Sequence, residues 1–161
     1  MKKRKNRLLI GAFVLCVIAL FSMILALTIG KREIQAEFTP PSFDSNACVG
    51  TPKIPEDLGW SELDAHMFKL SICGTIQPTG NDVDIWMLNP EENHVLLKLR
   101  ILDTEGRILG ESGLIKPGEY LKSVHLDIVP QEGTNIVLKI MAYEPETYYS
   151  AGAVSMNTVI R

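Results

Sequence analysis

The sequence predicts an all-β domain, an antiparallel β-sandwich, preceded by one transmembrane α-helix. Three observations carry this. An uncharged apolar run stands near the N-terminus, later segments alternate apolar and polar residues with period two, and turn residues separate those segments where a parallel fold would need helices.

The apolar run is LLIGAFVLCVIALFSMILALTIG, Leu8 to Gly30, with Ser22 and Thr28 as its only hydroxyls. Its 23 residues reach about 34 Å as a helix, enough to cross a hydrocarbon core of roughly 30 Å. Lys2, Lys3, Arg4, Lys5 and Arg7 precede it, while Lys31 and Arg32 follow with Glu33 alongside. That imbalance predicts a single-pass cell-membrane protein with residues 1–7 as a cytoplasmic basic tail, 8–30 in the membrane, and the C-terminal domain outside. A cleaved signal peptide, cut near Ala36, is the alternative. The run is much longer than a signal h-region of about 7 to 15 residues and has charges before that position. Leu15 stands where a lipoprotein signal needs a small residue, so Cys16 implies no lipid anchor.

Ala12, Cys16, Ala19, Met23, Ala26 and Gly30 recur at spacings of four and three. Such a stripe of small residues forms a left-handed packing seam, and Ala12, Cys16, Ala19 and Ala26 are the candidates for self-association or for docking on another membrane helix. The alternative is that small residues fall there by chance.

From Glu37 onward the chain carries nine Lys or Arg against eighteen Asp or Glu, a net charge of −9. An acidic exterior domain excludes a nucleic-acid backbone as ligand, which needs a basic face. Residues 31–58 are rich in Pro, Ser, Asp and Asn, without period, and read as an extracellular stalk stiffened by Pro40, Pro41, Pro52 and Pro55. Residues 59–161 read as the folded domain. Ser61 with Asp64 three residues on predicts a short helical turn at its start.

Strands follow in order. Phe68, Leu70 and Ile72 alternate with Lys69, Ser71 and Cys73; Val83, Ile85 and Met87 alternate with Asp84 and Trp86 until Asn89-Pro90. Val95, Leu97, Leu99 and Ile101 form the clearest alternation, and Asp103-Thr104-Glu105-Gly106 turns the chain into Arg107 to Glu111. Pro117-Gly118 opens Leu121 to Ile128, Pro130 to Thr134 turns into Ile136, Leu138, Ile140 and Ala142, and Ala151 to Ile160 closes the domain. About seven strands at this spacing predict an Ig-like sandwich, with a small barrel as the alternative.

Residues 89–145 resemble the Ig-like domain of small membrane-anchored proteins of Gram-positive bacteria, most of them uncharacterised. The resemblance rests on Asn89-Pro90-Glu91 leading into a strand and on the corner Gly113-Leu114-Ile115-Lys116-Pro117-Gly118. Where that group has Gly-x-Tyr, this chain has Gly133-Thr134-Asn135. The resemblance implies a surface location and no reaction.

Cys48 and Cys73 lie 25 residues apart in the exterior part and are a candidate disulfide, worth about 3 to 4 kcal/mol by loop closure; two free thiols are the alternative. His66, His94 and His125 stand in different elements without His or Cys at ligand spacing, so no metal site and no cofactor is predicted. Asp82 and Asp84 after Asn81 offer too few oxygens for calcium, which takes about six or more. No nucleophile elbow, phosphate loop or zinc-protease helix occurs, and the chain is read as a non-enzyme.

Tyr143-Glu144-Pro145-Glu146-Thr147-Tyr148-Tyr149-Ser150 joins the last two strands and combines stiff aromatic area with acids. Tyr143, Glu144, Glu146, Tyr148 and Tyr149 are the candidate binding residues, the alternative being that the tyrosines only pack over the sandwich edge. The functional expectation is a membrane-anchored extracellular binding or structural module whose partner is a protein or a cell-envelope component. An accessory subunit of a secretion, transfer or division complex, or a homo-oligomer through the helix, is the competing reading.

Overall fold

The computed structural model describes residues 14–23 and 38–161. Residues 14–23 are helical, with Leu15, Ile18, Leu20 and Phe21 exposed. Among the described residues no helix is long and apolar enough to cross a membrane. The rest of the expected span, including Ala12 and Ala26, lies outside the described residues.

Pro40–Arg161 form one compact unit. Its strands in chain order are β1 (Cys48–Val49), β2 (Trp60–Asp64), β3 (Lys69–Cys73), β4 (Pro78–Thr79), β5 (Asp82–Asn89), β6 (Leu96–Asp103), β7 (Ile108–Glu111), β8 (Glu119–His125), β9 (Asn135–Tyr143) and β10 (Ser150–Val159). They make two antiparallel sheets. The first runs β1-β8-β5-β3-β2 with β4 added on β5, and the second runs β10-β9-β6-β7.

Alternation decides the core. Val83, Ile85 and Met87 of β5 and Leu70 and Ile72 of β3 meet Leu97, Leu99 and Ile101 of β6 and Ile136, Leu138 and Ile140 of β9, all buried in one cluster. Removing one of these side chains costs about 2 to 5 kcal/mol, because the transfer free energy is lost and a cavity remains. The strands expected from period two are therefore present. Short β1, β2 and β4 raise the number above the seven read from the sequence.

Two local expectations are corrected. Ser61 to Asp64 form no helical turn, since Ser61 pairs with Ile72 and Asp64 with Lys69 across β2 and β3. A full ladder satisfies more backbone groups than one turn does. The helical turn lies earlier, a 3-10 segment at Glu56–Leu58 ended by left-handed Gly59 at φ 64°. The stalk is also shorter than expected. Phe43 bridges Leu114, Asp44 Oδ2 accepts from Gly113 N at 2.8 Å, and β1 pairs with β8, so much of residues 40–58 is built into the sandwich. Gly113 is required at this crossing, because a Cβ there would sit 2.5 Å from the Asp44 nitrogen.

Trp86 is half-buried at a β-bulge. Asp84 pairs with Ser123 and Met87 with Leu121, leaving Ile85 and Trp86 opposite Lys122 alone. The Trp86 ring stacks on Tyr120 at 6.4 Å between centroids, with Lys122 Nζ 5.5 Å above it.

Candidate functional site

Three connections converge at one end of the sandwich: the β2–β3 turn, the β5–β6 loop and the β9–β10 loop. Each is held by its own chemistry. In the β2–β3 turn, Asp64 Oδ1 accepts from His66 N at 2.9 Å and Ala65 N donates to Phe68 O at 2.9 Å. The turn needs His66 at φ 63°, which leaves Met67 71% exposed above buried Phe68.

The β5–β6 loop is fixed by two buried asparagines. Asn89 Nδ2 donates to Val95 O and Ile115 O, both at 3.0 Å, and Asn89 Oδ1 accepts from Asn93 Nδ2 at 2.7 Å. Asn93 also donates to Lys69 O at 2.6 Å and accepts from Lys69 N at 3.0 Å, so it continues the β3 ladder with a side-chain amide. Both amides are satisfied, and burial makes these bonds costly to lose.

In the β9–β10 loop, Glu144 N donates to Tyr149 O and Tyr148 N to Glu144 O, each at 2.9 Å. Tyr148 sits at φ 57°, and Thr147 Oγ1 donates to Glu144 Oε2 at 3.3 Å. Tyr149 is 74% exposed.

Together the loops enclose an open cleft of about 410 Å³, in which Met67, Val95 and Ala151 supply apolar surface and Glu144, Glu146 and His94 supply polar groups. A second recess of about 220 Å³ shares Met67 and is lined also by Asp64, Lys69 and Glu92. Acids outnumber bases across both, with Lys69 as the one lysine among their lining residues. Concave, mostly apolar surface with a few placed polar groups is the usual form of a binding site.

Of the five loop residues expected from the sequence, Glu144 and Glu146 line the cleft. Tyr149 stands exposed beside it in the same loop. Tyr148 is half-buried, and Tyr143 lies in β9 with its hydroxyl donating to Met141 Sδ at 3.6 Å. Met67, Val95 and His94 were missed, because only the topology brings loops so far apart in the chain together. Their signal was confined to two turn-forming stretches, Asp64 to Met67 and Asn89 to Asn93.

Elsewhere, His125 Nδ1 lies 2.9 Å from Asp82 Oδ1, with both side chains 63% exposed, and Lys122 Nζ lies 3.8 Å from Asp84. These are exposed cross-strand pairs, of small energetic worth. Among the described residues no group of three or more His, Cys, Asp or Glu is placed to hold a metal ion.

The candidate disulfide is not formed in this structure. Cys48 is exposed on β1, with Sγ 3.6 Å from Asn46 O, whereas Cys73 is fully buried opposite Trp60. Desolvation, helped by the Asp84 charge, pushes the Cys73 thiol up to about 11. It stays protonated and unreactive at neutral pH. In the helix, Cys16 is an exposed free thiol and the Ala19 carbonyl accepts from Ser22 Oγ at 2.9 Å.

No protein-family model matches the chain, and no curated protein matches it.

Proposed function

We propose that the chain is a non-enzymatic, membrane-anchored binding module that presents the β2–β3, β5–β6 and β9–β10 loops to a protein or cell-envelope component outside the cell. The observation that carries this reading is the cleft of about 410 Å³ that the three loops enclose. Its apolar surface, acidic lip and exposed Tyr149 suit a partner with apolar and basic groups. Two backbones held at positive φ, His66 and Tyr148, sit at some conformational cost next to exposed Met67 and Tyr149.

The strand order supports an Ig-like assignment. Consecutive β5 and β6 lie in different sheets, β8 returns to the first, and β9 and β10 complete the second. The uncharged run around the helix at residues 14–23, with basic residues before it, supports the anchor and its orientation.

The test is site-specific photo-crosslinking of the full-length protein in cells, with the photoreactive residue at Met67 or Glu146 and a control at Glu105, in the β6–β7 turn. A discrete adduct from the first two and none from the control is expected. Equal labelling from all three positions, or none, rejects the loop end as the recognition face.

A further inference from the structure

Sheet edges are a hazard, because their unpaired N–H and C=O groups invite another strand. Most edges of this sandwich are blunted. On the first sheet, β1 has two residues and β2 carries Glu62 and Asp64. On the second, the outer side of β7 is occupied: Asp127 N and Ile128 N donate to Leu109 O at 2.8 and 3.2 Å.

The remaining edge, β10, is built differently. It is ten residues long, and among the described strands longer than two residues it is the one without Asp, Glu, Lys, Arg or His. It has no proline. One side pairs with β9, through a bulge at Ala151 near its start and then regularly from Gly152 to Val159. Its end is tied to the first sheet by Thr158 Oγ1 donating to Gly74 O at 2.7 Å and by the bridge of Ile160 with Ile76. Between Ser150 and Asn157 no described residue pairs with the other side.

We propose that β10 is a self-association edge, at which a second copy of this chain adds its own β10 antiparallel to form one sheet across two molecules. The charge pattern selects that occupant. An edge without charges gains nothing from a basic or acidic strand, and this chain's own β10 is an uncharged strand of matching length. Geometry agrees. Two identical antiparallel strands are related by a two-fold axis perpendicular to the sheet, which keeps inner face beside inner face. Half-buried Val154 and Met156 would then cover the same residues of the second copy, while Ala153, Ser155 and Asn157 would line the outer face.

The lysine nearest the edge on that face, Lys139, is paired with Ser155. It would face its counterpart three strand spacings away, about 14 Å, beyond the Debye length at physiological salt. The joint is small beside a standard interface of about 1,200 to 2,000 Å², so a weak, concentration-dependent dimer follows. The proposal does not depend on the loop-end reading.

The test uses the full-length protein with Cys16→Ser and Cys48→Ser, and one new cysteine at a time: Ala153→Cys, Ser155→Cys, Asn157→Cys or Val159→Cys. Linkage by a short bis-maleimide should peak at one position and fall away from it along the strand. Ala153→Lys with Asn157→Lys should reduce that linkage about tenfold, since like charges then oppose across the joint. Mixing this variant with Ala153→Asp plus Asn157→Asp should restore it, which a folding defect would not do. Absence of linkage, an equal yield at every position, or failure of the mixture to recover overturns the proposal.

Discussion

Asn89→Ala should be among the most damaging single changes in the domain. The side chain is fully buried and makes three hydrogen bonds, to Val95 O, Ile115 O and Asn93 Nδ2. Alanine leaves all three partners short of a bond. The Ile115 carbonyl keeps its bond from Leu97 N at 3.0 Å, so its loss is partial. With about 1 to 3 kcal/mol for each buried group left unpaired, the expected destabilisation is about 3 to 5 kcal/mol. Asn93→Ala should cost a similar amount, because it uncouples Lys69 as well. The two share a bond, so the double variant should cost less than the sum of the singles. The assay is urea unfolding with tryptophan fluorescence, comparing midpoints at constant slope. A loss below about 1 kcal/mol for Asn89→Ala would mean that this amide pair does not hold the β5–β6 loop.

Three further outcomes are expected. Gly113→Ala should lower the melting temperature and loosen the segment around Asp44, because its Cβ would collide with the Asp44 backbone; an unchanged melting temperature would contradict the tight crossing. Burial raises the Glu111 carboxyl, but hydrogen bonds and charge from Lys98 and Arg100 outweigh it and hold the group below its usual range. Asp103 is likewise lowered, by bonds from Arg107 and the Glu105 amide that overcome its desolvation. A depressed folded-state value gives stability that is present above the ordinary carboxylate range, about pH 4, and is lost as pH falls through the depressed values. Glu111→Gln should therefore destabilise at neutral pH and show a shallower acid limb in unfolding midpoints from neutral to strongly acidic pH. Finally, in protein with Cys16→Ser, an aromatic disulfide reagent should titrate Cys48 promptly and Cys73 only after unfolding; two inert sulfurs under native conditions would mean that they are bonded.

The strands around Val83-Ile85-Met87, Leu97-Leu99-Ile101 and Ile136-Leu138-Ile140 were legible because one buried face forces strict alternation. β2 was not. Ser61 and Asp64 have the local chemistry of a helix start, and only pairing with β3, a nonlocal interaction, makes them extended. β1 is too short to show any period, and Phe43 and Asp44 look like linker until Gly113 and Leu114 are placed beside them. Cys48 and Cys73 show why spacing says little about distance, since one ends on an exposed edge and the other inside. At the site, the acids of the β9–β10 loop could be read from one stretch of chain. Met67 and His94 could not, because their place in the cleft comes from the convergence of three connections and not from any local pattern.

The most direct test of the loop-end account is the rate at which a membrane-impermeant maleimide labels Met67→Cys in full-length protein with Cys48→Ser, on intact cells and after purification. Glu105→Cys serves as the reference. Glu105→Cys should label at the same rate in both settings, while Met67→Cys should label markedly more slowly on cells, where a bound partner would cover it. Equal rates for Met67→Cys in both settings would contradict a bound partner at this end, and no labelling of either position on intact cells would contradict the outward orientation of the domain.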